Sequence, residues 1–459
     1  MKAPRAVAAL LGIVLGTGCA YYNGMYRAEH LAEDAEEAER EGRTIQAQSL
    51  WGQVGVKADT VLARHGDSKW ADDALYLRAL AWERLDDCPS AITALQQLIA
   101  TTRDTILREK GTFLLGSCWQ KTGNPRNASA TFARLIDASN PLRRNEALFQ
   151  HGQSLRLGGR FAEALQELRQ TTLPAARGER AAALAGLGRI EEAGAGVDSL
   201  LQAGDLDAPW DSIIAIAGRY DQAFASRLVD RLVAMPAVTP EQQGRWLMQD
   251  ARQIARTDLA AGLARLRETE RVVKGSGMQG EAALLSIRLR VRALENDAGL
   301  DSLLAEIWRL GSQGGSLGGD AQRLGLTLKG VEGVLDSVTP ATAQGDLQLF
   351  LAAEASRDSL NAPGLSEYAF RRLLRDFPQS PYAPKAVLAL AAQGDMDPDS
   401  ATAVIRRDYD GSPYLMVAQG IGEESFTRLE DSLRLYTVRF SARVRRANAD
   451  APTQQQELR

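Results

Sequence analysis

ALYLRALAWERLDDCPSAITALQQL (74–98) is followed by two stretches built on the same frame, FLLGSCWQKTGNPRNASATFARL (113–135) and ALFQHGQSLRLGGRFAEALQEL (147–168). Small residues Ala79, Gly116 and Gly152 recur at intervals of 37 and 36 residues. Three positions after each comes Trp82, Trp119 or Leu155. Farther on lie Ala91, Ala128 and Ala164, each followed four residues later by Leu95, Phe132 or Leu168. That pattern predicts two close-packed helices per copy: the small residue lets two backbones approach, and the large one fills the groove beside it. Gly123 and Gly159 fall between the apolar stripes, where the chain must turn. A more degenerate copy, AALAGLGRIEEAGAGVDSLL (182–201), keeps Ala193 and Val197 at second-helix positions.

The pattern resembles the tetratricopeptide repeat, a helix–turn–helix unit of about 34 residues. The resemblance covers roughly residues 70–203 and implies an all-α fold, an α-solenoid of stacked helical hairpins. A second phrase recurs around Ser68-Lys69-Trp70, Ser380-Pro381-Tyr382 and Ser412-Pro413-Tyr414. Ser caps helices well and Pro is tolerated in the first turn, so these phrases mark helix starts between repeats. DFPQSPYAPKA (376–386) is similar to repeat proteins of the bacterial envelope, among them the barrel-assembly lipoprotein and the Tol–Pal coordinator.

Between about 205 and 345 the phrases fade but helical spacing continues. Thr239 and Pro240 read as a cap and first helical position. SIRLRVRAL (286–294) alternates as a strand would, yet strong helix formers flank it, which predicts a helix with Arg288, Arg290 and Arg292 spread round it. GSQGGSLGG (311–319) reads as a flexible joint. The chain therefore divides into a leader (1–18), an N-terminal repeat solenoid (19–204), a degenerate helical region (205–345), C-terminal repeats (346–447) and a polar tail (448–459).

The leader bears on the compartment. Lys2 and Arg5 precede the apolar run AVAALLGIVL (6–15), which is too short to span a bilayer, and small residues lead to Cys19. This order resembles a bacterial lipoprotein signal, although Gly16 stands where that class usually has an aliphatic residue. The resemblance implies acylation of Cys19 and a stable lipid anchor. Ala20, in place of the Asp that retains some lipoproteins at the inner membrane, favours the periplasmic face of the outer membrane. Cys88 and Cys118 read as two separate buried thiols, since their repeat positions do not obviously face each other.

Chemistry is sparse. The net charge of −4, or −6 without the leader, is no nucleic-acid signature. Gly314–Gly318 matches G-x-S-x-G, but all three histidines (His30, His65 and His151) lie upstream, so the nucleophile-elbow reading fails. Asp395, Asp397 and Asp399 alternate as in a calcium loop, yet Ser400 and Arg406 occupy the positions that need Gly and Glu. Glu424-Ser425 is similar to the catalytic Glu-Ser of solenoid lytic transglycosylases, but too little chain follows to build a sugar cleft. The acidic run 33–41 reads as the wet face of a helix whose Ala28, Leu31, Ala35 and Ala38 face inward.

The expectation is a scaffold without catalysis, metal or cofactor. It is expected to bind envelope proteins in its groove, in barrel assembly or secretion, and to meet the membrane through Cys19. Arg78, Gln120 and Arg156 on first helices are the candidate partner contacts. The alternatives are a structural lipoprotein bridging outer membrane and peptidoglycan, or a carbohydrate-active enzyme.

Overall fold

The computed structural model describes residues 24–138, 140–418 and 421–435. The leader, Cys19 and the polar tail lie outside the described residues. Those up to Ser226 form one compact unit and those from Arg227 onward a second.

In the first unit helices pack as successive hairpins. They are α1 (Tyr26–Arg40) with α2 (Thr44–His65), α3 (Ala71–Arg84) with α4 (Cys88–Thr101), and α5 (Thr105–Lys121) with α6 (Pro125–Phe132). Next come α7 (Pro141–Leu157) with α8 (Phe161–Leu168), then α9 (Ala176–Gly186) with α10 (Ile190–Gln202). α11 (Trp210–Ala217) and α12 (Gln222–Val233) follow. In the second unit α13 (Pro240–Ile254) packs on α14 (Leu259–Val272), and α15 (Gly277–Arg292) leads to α16 (Leu300–Gly311), which packs on α17 (Gly315–Ser337). α18 (Gly345–Asp358) pairs with α19 (Pro363–Asp376), and α20 (Ala383–Gln393), α21 (Pro398–Asp408) and α22 (Pro413–Ala418) follow, with a last helical run over 423–435. The fold is a helical solenoid, as the sequence predicts.

The frame read from the sequence is the packing frame. A Cβ added to Gly116 would lie 2.6 Å from the Phe132 ring, and one on Gly152 would lie 2.6 Å from Leu168 Cγ. Nothing larger than hydrogen fits there without displacing a core side chain. Ala79 and Leu95 are likewise fully buried.

The hairpin turns share one geometry. Gly123 and Gly159 take left-handed backbone at φ 70° and 76°, and Asp86 takes it at φ 61° in the copy before them. After each, a backbone N–H reaches the carbonyl five residues back: Asp87 to Trp82, Asn124 to Trp119, and Arg160 to Leu155, at 2.8–2.9 Å. That bond closes a helix end that would otherwise leave bare carbonyls. Asp tolerates the left-handed region better than most side chains, so the first copy turns without glycine.

Helix starts are equally local. Asp87, Asp104, Asn124, Asn140 and Asp258 each accept N–H groups of the first turn, and Thr239 forms a reciprocal capping box with Gln242. In all three Ser phrases the hydroxyl accepts the N–H two residues on: Trp70 at 3.3 Å, Tyr382 at 3.1 Å and Tyr414 at 3.2 Å.

SIRLRVRAL is helical, its first seven residues lying in α15, as its flanks require. The glycine-rich 311–319 stretch is a different matter. It is the end of α16, a short turn through left-handed Gly314 and Gly315, and the beginning of the 23-residue α17. No joint between compact units lies there; that break falls at Ser226/Arg227. Glycine content suggested freedom, but the buried Gly318 continues the helix where α16 and α17 approach closely, a Cβ there meeting the Gly311 carbonyl oxygen at 2.9 Å.

Candidate functional site

First helices of successive hairpins carry the polar side chains that the sequence picked out. Arg78 on α3 donates to Asp59 at 3.0 Å, and its guanidinium lies 4.7 Å from the centre of the Trp82 ring system. Gln120 on α5 donates to Ser154 Oγ at 2.8 Å and to Gln153 Oε1 at 3.3 Å, both on α7. Arg156 on α7 is buried and donates to the buried Glu179 on α9, which also accepts from Gln153 at 2.8 Å. Lys121 to Glu83 at 2.8 Å and Arg143 to Glu109 at 2.7 Å are further rungs between neighbouring repeats. These groups lace the first unit together. Of the sequence candidates, Arg156 is buried, while Arg78 keeps 24% of its side chain exposed.

The structure corrects the reading of the cysteines. Cys88 at the start of α4 and Cys118 on α5 are joined in a disulfide, their Cα atoms 5.2 Å apart. The second helix of one repeat packs against the first helix of the next, and that packing brings together two residues placed unalike within their own repeats.

A correction also applies to the arginines of 286–294. Arg290 does turn aside, pairing with Glu306 on α16. Arg288 and Arg292, four residues apart, point instead into an open cleft of about 580 Å³ in the second unit. Arg252 and Arg256 from the end of α13 and Arg323 from α17 enter the same cleft, over a floor that includes Leu285, Leu289 and Leu324. One helix at a time, these cations look dispersed. Three helices packed side by side, α13, α15 and α17, gather them. A sequence signal existed, since the Arg252/Arg256 pair recurs 36 residues later as Arg288/Arg292, at the interval of the repeat itself.

The other motifs resolve locally. Asp397 caps α21, accepting the Ser400 N–H at 2.9 Å, and that hydrogen bond holds its carboxyl below the usual range. Ser316 sits in the first turn of α17. Among the described residues no group of three or more His, Cys, Asp or Glu side chains is placed to hold a metal ion. No helix of the described residues is long and apolar enough to cross a membrane.

Comparison with known proteins bears on one of these hairpins. Residues 73–101, spanning α3 and α4, match the tetratricopeptide repeat. The chain thus carries a tetratricopeptide repeat within a run of sequentially packed helical hairpins. It is similar to a tetratricopeptide repeat protein from Parabacteroides merdae at 12% identity, covering 57% of this chain and 99% of that one with a TM-score of 0.39. It is also similar to the C-terminal part of a repeat-containing protein from Cytophaga hutchinsonii, at 14% identity, 55% and 98% coverage and a TM-score of 0.35. No curated protein matches the chain.

Proposed function

We propose that this chain is a lipid-anchored scaffold of the bacterial cell envelope, tethered through Cys19 at the periplasmic face of the outer membrane, which binds other envelope proteins without catalysing a reaction. The tetratricopeptide repeat within a series of stacked hairpins carries the binding part of this reading, because such arrays offer long side-chain-lined surfaces to partners. Two independent features support the compartment. The leader has the order of a lipoprotein signal, and the Cys88–Cys118 disulfide suits an oxidising space. Arg78, with 24% of its side chain exposed, is a contact residue in this reading, with Gln120 and Arg156 holding the repeats in register. Barrel assembly and secretion are the processes in which such a tethered adaptor fits.

Crosslinking in intact cells, followed by affinity purification of the wild type and of Cys19→Ser, tests the proposal. Envelope proteins recovered with the wild type and lost with the soluble variant are the expected result, together with an acylated Cys19 at the mature amino terminus. An unmodified peptide reading through Cys19, or no partner from either form, contradicts it. Purified protein is expected to leave cell wall undigested.

A further inference from the structure

We infer that the arginine-lined cleft between α13, α15 and α17 is a recognition site for an acidic segment of a partner protein, one in which carboxylates alternate with apolar side chains. The inference rests on the scaffold reading above and specifies the chemistry of its partner.

Charge is the first argument. The chain is acidic overall, at −4, yet five arginines face one cleft whose lining includes a single carboxylate, Asp320. Like charges this close repel, and what sets the cleft apart is the gathering of five guanidinium groups, whereas an arginine such as Arg265 is held by several carboxylates. Within the cleft only part of the charge is met: Arg288 lies 3.8 Å from Asp320, and Arg323 donates to the same carboxylate. Arg252, Arg256 and Arg292 have no ion pair or side-chain hydrogen bond among the described residues. An anionic occupant supplies what the fold leaves out, and guanidinium groups pair well with carboxylates.

The floor is the second argument. Leu285, Leu289 and Leu324 are partly exposed beneath the arginines, and Leu360 closes one side. A purely ionic ligand leaves that surface wet, whereas a segment with leucine-like side chains between its acids covers it. Asp320 adds discrimination: its carboxylate repels a multiply charged phosphate more than it repels a single side-chain carboxylate. Size agrees, because about 580 Å³ accommodates a few side chains of a longer segment and not a folded domain. The cleft also spans three helices packed side by side, a breadth suited to an extended peptide.

The test uses the full chain in mild detergent and a short fluorescein-labelled peptide of alternating Glu and Leu, read by anisotropy at low and physiological salt. A Gln-for-Glu version and vesicles containing an anionic phospholipid are the comparison probes. Binding of the Glu peptide, weakened by salt, absent with Gln, and on the order of tenfold weaker in Arg252→Glu/Arg292→Glu supports the site, taking somewhat under 1 kcal/mol for each exposed pair. All the cleft arginines are surface side chains, so the variant is expected to keep its helical circular dichroism; Arg252→Gln/Arg292→Gln serves as the gentler second variant. Arginine-dependent binding of vesicles without binding of the peptide overturns the inference in favour of a membrane surface. If the peptide fails to bind while cellular crosslinking recovers the same partners from wild type and Arg252→Glu/Arg292→Glu, the cleft is overturned and the scaffold reading stands. Partners captured by wild type and lost from that variant support both.

Discussion

The two compact units solve the same packing problem with different regularity. In the first, a small residue on one helix faces a large one on its neighbour, repeat after repeat, as Gly116 faces Phe132 and Gly152 faces Leu168. Polar rungs between first helices, such as Gln120 to Ser154, are mostly satisfied within the unit. In the second unit five arginines line one open cleft, and three of them, Arg252, Arg256 and Arg292, have no ion pair among the described residues. In the first, side chains such as Gln120 and Arg156 bridge neighbouring hairpins. In the second, cations from several helices gather on one open cleft.

Ion pairing is where that comparison is most easily broken. Arg265 on α14 donates to the fully buried Asp250 at 2.8 Å, to Asp230 at 2.6 Å and to Glu268 at 2.9 Å. Burial pulls its guanidinium down, but those carboxylates hold it above its ordinary range. Arg265→Leu leaves Asp250 buried beside an apolar side chain and is expected to destabilise the second unit by about 3–5 kcal/mol in denaturant titration. A variant as stable as the wild type would show that this unit does not depend on the pairing.

The disulfide tests the first unit. Cys88 and Cys118 are 30 residues apart, and opening a loop of that size is expected to cost about 3–4 kcal/mol. Hydrogen exchange in α4 and α5, with and without reductant, reads this locally. Unchanged protection would mean that apolar packing alone holds the two repeats. A smaller effect is expected from Gly116→Ala. Alanine is the better helix former by about 1 kcal/mol, but its Cβ meets Phe132, and overpacking costs about 1–3 kcal/mol. Net destabilisation, relieved by adding Phe132→Leu, is the predicted result; a stabilised single variant would break the frame.

The smallest effect is a pH dependence. Burial pushes His151 below its usual value near 6.5, while Glu167 at 3.9 Å pulls the other way. The fold thus favours neutral imidazole, and its contribution is present above the unfolded value and lost as pH falls through it. Thermal stability of the first unit is expected to drop below about pH 6.5 more steeply in wild type than in His151→Gln.

How far the sequence carried follows from the same contrast. The Ala79/Gly116/Gly152 frame, the glycine turns and the Thr239 cap were legible because each depends on residues close in sequence or repeated at a fixed interval. The left-handed turn at Asp86 was not, since no glycine marks it. The disulfide was missed because Cys88 and Cys118 meet across a repeat boundary, where the fit of two hairpins sets the distance. The arginine cleft was missed because Arg288 and Arg292 were weighed on their own helix, whereas Arg252, Arg256 and Arg323 reach the same space from helices packed beside it.

The most direct test of the account is hydrogen exchange on the full chain with and without a bound peptide of alternating Glu and Leu. Protection confined to the cleft-facing parts of α13, α15 and α17, with the first unit unchanged, is the predicted result. Protection along α3, α5 and α7, or none in the second unit under conditions where the peptide is bound, would contradict it and place recognition on the regular repeats.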